Sequence, residues 1–174
     1  VGTTGAIFLV EDEPGVLVMK AQRGLAKPLL TACGQVPFGK CLCGRAAASG
    51  EMEFADGLDK RHDIRYEGIK AHGHYCVPIL SGGKVLGVIN LYVKNGHRRD
   101  QREEEFLRAV ADTVAGIIDR KQVEGMLRNI AEGVATATGE SLFRSLVQYL
   151  AKGLRVDYAF IGTLANGKKD MVRT

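Results

Sequence analysis

Histidine and cysteine occupy alternate positions in one short stretch of the chain, and both are side chains that ligate metals or react as nucleophiles. The stretch is "AHGHYCVP", residues 71–78, and it contains His72, His74 and Cys76 in a chain that has four histidines and four cysteines. Successive side chains of a strand point to opposite faces, so an extended backbone places these three on the same face. Imidazole and thiolate suit zinc, iron or copper. The stretch is therefore a candidate metal or redox site.

A second pair of cysteines lies upstream, in "FGKCLCGRAA". Cys41 and Cys43 stand there among glycines, which indicate a turn into a helix that we expect to begin near Gly44 and end by Gly50. Cys-x-Cys is not the spacing of common structural zinc sites, and His-x-His-x-Cys matches no standard finger. Four interpretations stay open: buried side chains with a structural role, a transition metal such as zinc or iron, a thiol redox switch, or an organic ligand contacted by the same residues.

The segment between these two stretches is rich in charge and reads as a surface loop. Its core, "DKRHDIRYEG", contains three side chains of particular interest: Arg61, His62 and Tyr66. Such a segment suits the binding of an anion, or a supporting role in which its polar groups orient the neighbouring histidines. A solvated loop held by its own ion pairs is the alternative.

Asn90 is an amide inside the apolar run "VLGVINLYV". It shares a predicted strand face with Leu86 and Val88, where it contacts either a pocket or a neighbouring strand. The predicted ligand pocket consists of Cys41, Cys43, Arg61, His62, Tyr66, His72, His74, Cys76 and Asn90. The metal hypothesis uses five of these residues: Cys41, Cys43, His72, His74 and Cys76. Outside the pocket, Cys33 has no evident partner and His97 reads as a turn residue.

Apolar periodicity predicts the elements that position these residues. "GAIFLV" and "VLVMKAQ", joined by "EDEPG", predict a hairpin, and "RGLAKPLL" predicts a short helix. "HYCVPIL" and "KVLGVINLYV", joined by "SGGK", predict a second hairpin. We expect Val77 and Ile79 to pack against a helix, which turns His74 and Cys76 toward the loop that bears the upstream cysteines.

From Gln101 the apolar residues recur at three- and four-residue steps, which predicts an amphipathic helix. Asp100 is its expected N-cap, and we expect it to run to about Lys121 or beyond. The final segment, residues 139–174, reads as helix, strand, Asn-Gly turn and strand, a pattern similar to the opening of the chain.

Composition argues against several classes of function. The 24 basic and 20 acidic residues are interleaved, aromatic residues make up 6%, and Trp is absent, so no basic stripe with stacking platforms for nucleic acid is present. No run approaches the roughly 18 apolar residues of a membrane span, and the first residues do not resemble a signal peptide. Four cysteines are too few for a disulfide scaffold of this length. We expect a cytoplasmic protein without membrane insertion or nucleic-acid binding.

The ordered set "VPFGKCLCGRAAASGE", "HGHYCVPIL", "GGKVLGVINLYV" and "REEEFLRAVADTVAGIIDR" resembles the GAF domains of bacterial signal-transduction proteins, over about residues 1–122. The resemblance implies an α+β fold with an antiparallel sheet of five to six strands, helices on one face, a ligand pocket between the other face and residues 38–75, and a long C-terminal helix. It also implies a helix before the first hairpin, which this sequence lacks. Residues 123–138 would be a helical linker, and residues 139–174 the opening helix and hairpin of a second GAF-like domain, truncated here.

For function, the resemblance implies a non-catalytic sensory domain that binds a small ligand or metal cofactor. It would signal through the helix at 102–130 to an output domain, and the same helix would form a homodimer. One alternative is a GAF-fold thiol enzyme such as a free-methionine sulfoxide reductase, with Cys43 at a helix start as nucleophile. The acidic motif expected of those enzymes is replaced here by "HGHYC". The other alternative is a purely structural dimerisation module.

Overall fold

The fold was analysed in a computed structural model of the chain. It describes residues 4–11, 13–134, 139–154, 156–164 and 172–173. The chain divides into two compact units, Val1–Asp119 and Arg120–Thr174. No helix within the described ranges is long and apolar enough to cross a membrane.

The first unit is built on a six-stranded sheet. Its strands are β1 (Gly5–Val10), β2 (Val16–Arg23), β3 (Gln35–Pro37), β4 (Glu53–Ala55), β5 (His72–Ser81) and β6 (Lys84–Lys94). They lie in the order β3-β2-β1-β6-β5-β4, and every neighbouring pair is antiparallel. Both predicted hairpins form, and Gly82 and Gly83 take the positive φ angles, 54° and 78°, that a tight turn between β5 and β6 requires. The predicted α+β class with an antiparallel sheet is confirmed.

The two faces of the sheet carry different helices. The helices of this unit are α1 (Lys27–Ala32), α2 (Cys41–Ser49) and the first part of α3 (Gln101–Val134). On one face Tyr75, Val77 and Ile79 form a core cluster that includes residues of α3, whereas Cys76 belongs to the cluster of the opposite face, which includes α2. The predicted alternation along β5 is therefore confirmed.

A β-bulge changes the expected alternation along β6. Ile79 pairs with Gly87 and Leu80 pairs with Val85, so Leu86 has no partner on β5. Leu86 belongs to the cluster that contains α3, whereas Val88 lies with Asn90 on the side of α2. The prediction that Leu86 shares a face with Asn90 was wrong, because one inserted residue reverses the face of every side chain before it.

Helix α2 begins earlier than its glycine pattern indicates. Its first residue is Cys41, which has a φ of 54°, and Gly44 lies inside the first turn. A Cβ on Gly44 would lie 2.2 Å from the carbonyl oxygen of Pro37. The glycine is therefore required by the close approach of α2 to β3, and it does not mark the start of the helix.

Helix α3 begins as predicted. The Asp100 carboxylate accepts hydrogen bonds from the backbone N–H groups of Arg102 (2.8 Å) and Glu103 (3.2 Å), which confirms the N-cap. The helix continues to Val134, well beyond Lys121.

The second unit contains the remaining regular structure. Helix α4 spans Glu140–Leu154, and β7 (Thr163–Leu164) pairs with β8 (Val172–Arg173) in an antiparallel ladder. The predicted Asn-Gly turn between these strands falls outside the described residues. The hypothesis of a second GAF-like domain stays a prediction.

Candidate metal and ligand site

Three histidines meet on the α2 side of the sheet. His72 and His74 are neighbours on one face of β5, and His62 reaches them from the loop between β4 and β5. The ring centroids are 4.7 Å apart for His72 and His74, and 5.2 Å and 5.3 Å apart for His62 with His74 and His72. One ring nitrogen of each histidine lies within 4.8 Å of the other two. This set is called the histidine triad below.

Hydrogen bonds orient two rings of the triad. His74 donates its Nδ1–H to the side-chain oxygen of Asn90 at 2.9 Å, and His72 donates its Nδ1–H to the backbone carbonyl of Lys70 at 2.6 Å. A donor at Nδ1 leaves the lone pair on Nε2, which is how second-layer partners prepare an imidazole to bind a metal.

The opposite nitrogens of the triad have no partner. Nδ1 of His62 and Nε2 of His72 and His74 are buried without a hydrogen bond, and within the described ranges no other buried side-chain nitrogen or oxygen is in this state. An unpaired buried polar atom costs roughly 1 to 3 kcal/mol. The three rings are neighbours, so one bound ion could be ligated by a nitrogen of each.

The spacing of the triad fits a transition metal after small ring movements. Metal–nitrogen distances of about 2.0 to 2.1 Å place tetrahedral ligand atoms about 3.3 Å apart. The ligand nitrogens, which lie within 4.8 Å of one another, would therefore close by at most about 1.5 Å. Three protein ligands leave at least one coordination position open.

Burial favours the neutral form of two rings of the triad, His62 and His74. Desolvation lowers the pKa of His74 to about 3, although the hydrogen bond that His74 donates to Asn90 acts in the opposite direction. Desolvation also lowers the pKa of His62, and the nearby charge of His72 adds to this effect. Neutral imidazole is the metal-ligating form, so both rings are ready to bind at neutral pH.

Arg61 holds the loop that carries His62. Its guanidinium donates to the carboxylates of Glu53 (2.6 Å) and Asp59 (2.6 Å) and to the carbonyl of Phe54 (2.9 Å). These bonds tie the loop to β4, the edge strand beside β5. Arg61 therefore positions His62 and does not itself face the triad.

A pair of thiols lies next to the triad. The sulfurs of Cys43 and Cys76 are 3.6 Å apart, and Cys76 donates to the side-chain oxygen of Asn90 at 3.6 Å. Burial raises the pKa of Cys76 well above its ordinary value. Asn90 thus accepts hydrogen bonds from both Cys76 and His74, so a single amide joins the thiol pair to the triad.

A small cavity of about 20 Å³ opens beside these groups. Its wall consists of Phe8, Leu25, Leu29, Cys33, Val36, Cys41, Leu42, Cys43, His62, Ile64, His74, Asn90 and Tyr92. This volume is close to what one water molecule needs. Burial raises the pKa of Cys33 to about 12 and also raises that of Cys41, so these wall thiols stay protonated at neutral pH.

The predicted pocket residues divide into three groups. Those on the cavity wall are Cys41, Cys43, His62, His74 and Asn90. Two more, His72 and Cys76, are not on the cavity wall: His72 belongs to the triad, and Cys76 belongs to the thiol pair. Arg61 and Tyr66 lie outside both, Arg61 as an anchor and Tyr66 as a half-buried loop residue. Two of the five residues in the metal hypothesis, His72 and His74, lie in the triad with His62. The three cysteines of the hypothesis are not members of the triad.

Sequence reasoning missed two polar residues of the wall. Cys33 follows α1 directly, and its contact with the cavity depends on how α1 packs. Tyr92 pairs with His74 across the sheet and lies two residues after Asn90, so period-two alternation along β6 was a signal that pointed to it.

Residues 2–119 match the family model of the GAF domain, and the chain belongs to that family. The chain is similar to "Protein YtsP" of Bacillus subtilis (strain 168), with 27% identity over 107 residues, which are 62% of this chain and 63% of that protein. It is also similar to the "Free methionine-R-sulfoxide reductase" of Saccharomyces cerevisiae, with 33% identity over 85 residues, which are 48% of this chain and 47% of that protein. The chain thus spans less than two thirds of the length of either relative.

Among solved structures, the chain resembles the GAF domain from a phosphoenolpyruvate-protein phosphotransferase of Coxiella burnetii. The TM-score is 0.61 at 24% sequence identity, over 70% of this chain and 74% of that chain. This likeness supports the fold.

Proposed function

We propose that this GAF domain is a sensory domain whose histidine triad holds a divalent transition metal ion, such as Zn²⁺ or Fe²⁺. The observation that carries the proposal is the convergence of three imidazoles, one ring nitrogen of each lying within 4.8 Å of the others, and each ring has a buried nitrogen without a hydrogen-bond partner. Hydrogen bonds from Nδ1 of His72 and His74 already select the tautomer that a metal requires.

An open coordination position distinguishes this site from a structural metal site. Structural zinc sites use four protein ligands, whereas sites that act on or sense a ligand keep one position for water or ligand. His62 and His74 line the cavity, so an ion held by the triad would border it. Since no Lys, Arg, Asp or Glu is among the described residues of its wall, the ligand that fits is small and uncharged.

Strand β5 connects the site to α3. His74 and Cys76 lie on the site face, while Tyr75, Val77 and Ile79 on the opposite face pack in the cluster that contains α3. A shift of β5 on ligand binding is therefore transmitted to the helix, and through it to an output domain of the full-length protein. The four free cysteines fit a reducing compartment such as the cytoplasm.

Metal binding is tested on protein purified without an affinity tag. We expect anaerobic titration of the apo protein with Co²⁺ to saturate at one ion per chain and to give the visible absorption of a low-coordinate site. His62→Ala, His72→Ala and His74→Ala should each weaken binding at least about ten-fold. His97→Ala is the matched control, because the fourth histidine lies in a turn and pairs with Glu103 at 2.7 Å.

Two results would overturn the metal proposal. One is the absence of stoichiometric binding of Co²⁺, Zn²⁺ or Fe²⁺ by folded wild-type protein. The other is equal loss of binding in His97→Ala and His74→Ala, which would show that binding does not depend specifically on the triad.

The proposal includes a homodimer formed through α3. Phe106 is 67% exposed and Ile117 is 44% exposed on this helix, and their spacing places them on one side of it. Light scattering on the wild type is expected to give twice the mass of the chain, and Phe106→Asp should give the mass of one chain. A wild type that is monomeric at high concentration would exclude this part.

A second candidate, the thiol enzyme, is favoured by two observations. The cavity wall carries Cys33, Cys41 and Cys43, and the yeast relative is named as a free methionine-R-sulfoxide reductase. The test is turnover of free methionine-R-sulfoxide with NADPH, thioredoxin and thioredoxin reductase. Turnover that Cys43→Ser abolishes would support the enzyme, and absence of turnover in the wild type would exclude it.

A further inference from the structure

The thiol pair is a second site, distinct from the histidine triad. Cys43 lies in α2 and Cys76 in β5, and their sulfurs are 3.6 Å apart although 33 residues separate them along the chain. Both cysteines are free and buried. Disulfide formation needs an S–S distance of about 2.05 Å, so the sulfurs must approach each other by about 1.5 Å.

The backbone around both cysteines is held in place. Gly44, next to Cys43, lies so close to β3 that a Cβ would meet the Pro37 carbonyl oxygen at 2.2 Å. Cys76 pairs with Glu53 on β4 and with Asn90 on β6, so its strand has a neighbour on each side. The thiol contact is therefore a fixed feature of the packing between α2 and the sheet.

The two thiols differ in their access to solvent. Cys43 lines the cavity, whereas Cys76 has an exposed fraction of 0%. A reagent as small as a peroxide reaches Cys43 first, and Cys76 lies behind it as the resolving thiol. Within the described residues, this is the contact that joins two cysteine sulfurs.

We propose that Cys43 and Cys76 form a redox site that a small hydroperoxide converts to a disulfide, and that this conversion weakens metal binding by the histidine triad. Asn90 is the link, because its side-chain oxygen accepts hydrogen bonds from both Cys76 and His74. The coupling to metal rests on the function proposed above, whereas the formation of the disulfide does not.

The reaction balances with the hydroperoxide as the oxidant. The sulfur of Cys43 attacks the terminal oxygen, the O–O bond breaks, and the alcohol, or water from hydrogen peroxide, leaves. The sulfur of Cys76 then attacks the Cys43 sulfenic acid, an S–S bond forms, and water leaves with the Cys76 proton. Two thiols lose two electrons and two protons, and the peroxide gains them.

Oxidation removes the S–H of Cys76 as a donor to Asn90 and draws its sulfur toward Cys43. The Asn90 amide is then held by His74 alone, and the ring that it orients gains freedom to rotate. A partner that orients a metal ligand contributes about 10- to 100-fold to metal affinity. Cys76 contacts Asn90 and does not contact the ring of His74 through a hydrogen bond, so its effect on the metal is indirect. We therefore expect metal affinity to fall several-fold on oxidation.

The first experiment follows the thiols in apo protein, with a chelator present so that metal plays no part. The reduced chain is treated with hydrogen peroxide, free thiols are alkylated, and intact mass and peptide maps are recorded. We expect the loss of two hydrogen atoms and a Cys43–Cys76 crosslinked peptide. Cys33→Ser, the matched control for another thiol on the cavity wall, should behave like the wild type. Cys76→Ala should stop at a Cys43 sulfenic acid that dimedone traps.

The wild-type result decides the redox site even where a variant fails to fold. A different crosslink, or no crosslink at peroxide levels that oxidise free cysteine, would overturn the proposal. The second experiment compares Co²⁺ affinity of reduced and oxidised chains. Equal affinities would exclude the coupling to metal binding but not the disulfide. Failure of the reduced chain to bind metal would exclude the function proposed above.

Discussion

The two faces of one sheet perform different tasks with residues that alternate along the same strand. On the face toward α3, the buried side chains are Tyr75, Val77, Ile79, Leu86, Ile89, Leu107, Ala111 and Ala115. On the face toward α2, the same strands present His74, Cys76 and Asn90 beside a cavity. The three buried nitrogens without a partner, among the described side chains, all belong to this second face.

The two faces contribute differently to the stability of the domain. The α3 face buries mainly hydrocarbon side chains. Their burial contributes roughly 25 cal/mol to the free energy of folding for each Å² of apolar surface buried. The α2 face carries three buried imidazole nitrogens without a hydrogen-bond partner, and such atoms reduce the free energy of unfolding.

Ile79→Ala removes a side chain that is 0% exposed on the α3 face. We expect the free energy of unfolding to fall by about 2 to 5 kcal/mol, because the change leaves a cavity in a packed core. Urea denaturation measures this effect. Asp112→Ala is the control and should stay within about 0.5 kcal/mol of the wild type, because Asp112 is exposed on α3 and lies away from the side that carries Phe106 and Ile117. Metal stoichiometry of the folded Ile79→Ala protein should remain unchanged, and its loss would show that the two faces are not separable.

Gly73→Ala adds a methyl group at the residue that separates the two strand histidines in the sequence. Its Cβ would lie 2.3 Å from the Ala55 carbonyl oxygen on β4, so the strands must move apart. We expect the free energy of unfolding to fall by about 1 to 3 kcal/mol. Metal binding should also weaken, because His72 and His74 move with the strand.

Gly116→Ala is the matched control for Gly73→Ala. A Cβ at Gly116 meets nothing within 4 Å, and the residue lies inside α3, so this variant should be more stable by about 0.5 to 1 kcal/mol. Equal effects of the two substitutions in thermal and metal titrations would contradict the close approach of β4 to β5.

Asn90→Ala removes the acceptor that orients His74. Metal affinity should fall by about 10- to 100-fold, with a smaller effect on stability. Asn90→Asp restores an acceptor for the Nδ1–H and should recover most of the affinity. Calorimetric metal titration distinguishes the two variants. Equal losses in both would mean that Asn90 only fills space.

Glu104 is a buried carboxylate on α3 that pairs with Arg99 and Arg108. The hydrogen bond from Arg99 is the main reason that its pKa lies below the ordinary 4.5. The native state therefore holds fewer protons than the unfolded state, so this stabilisation is complete above about pH 4.5 and is lost as pH falls through the lowered pKa.

Glu104→Gln is expected to reduce stability at pH 7 by a small amount and to flatten the acid limb of a stability curve. Denaturation at a series of pH values measures this. A difference between wild type and variant that does not change with pH would show that the ion pairs contribute nothing measurable.

Much of the fold was predictable from local pattern, and part of the site was not. Period-two alternation on β5 correctly separated His74 and Cys76 from Val77 and Ile79, because a strand allows its side chains only two directions. The bulge at Leu86 broke the same rule on β6, since nothing in "VLGVINLYV" marks the inserted residue.

The third member of the triad was harder to find. His62 comes from a long loop whose path has no period, so the sequence placed it near the strand histidines in a supporting role and did not make it a partner of His72 and His74. Its position depends on Arg61, which ties the loop to Glu53 and Asp59, and on Asp63, whose carboxylate accepts the Cys41 N–H at 2.6 Å. Such contacts join residues far apart along the chain, and no local signal specifies them.

By itself, the sequence determined the antiparallel sheet, the order of its hairpins, the start of α3 and the face on which the reactive side chains lie. Backbone geometry within each element decides these features, so the spacing of apolar and capping residues records them. Tertiary structure alone decided which reactive groups meet: His62 with the two strand histidines, and Cys43 with Cys76. These meetings depend on the packing of a loop and a helix onto the sheet, which is set by shape and long-range contact.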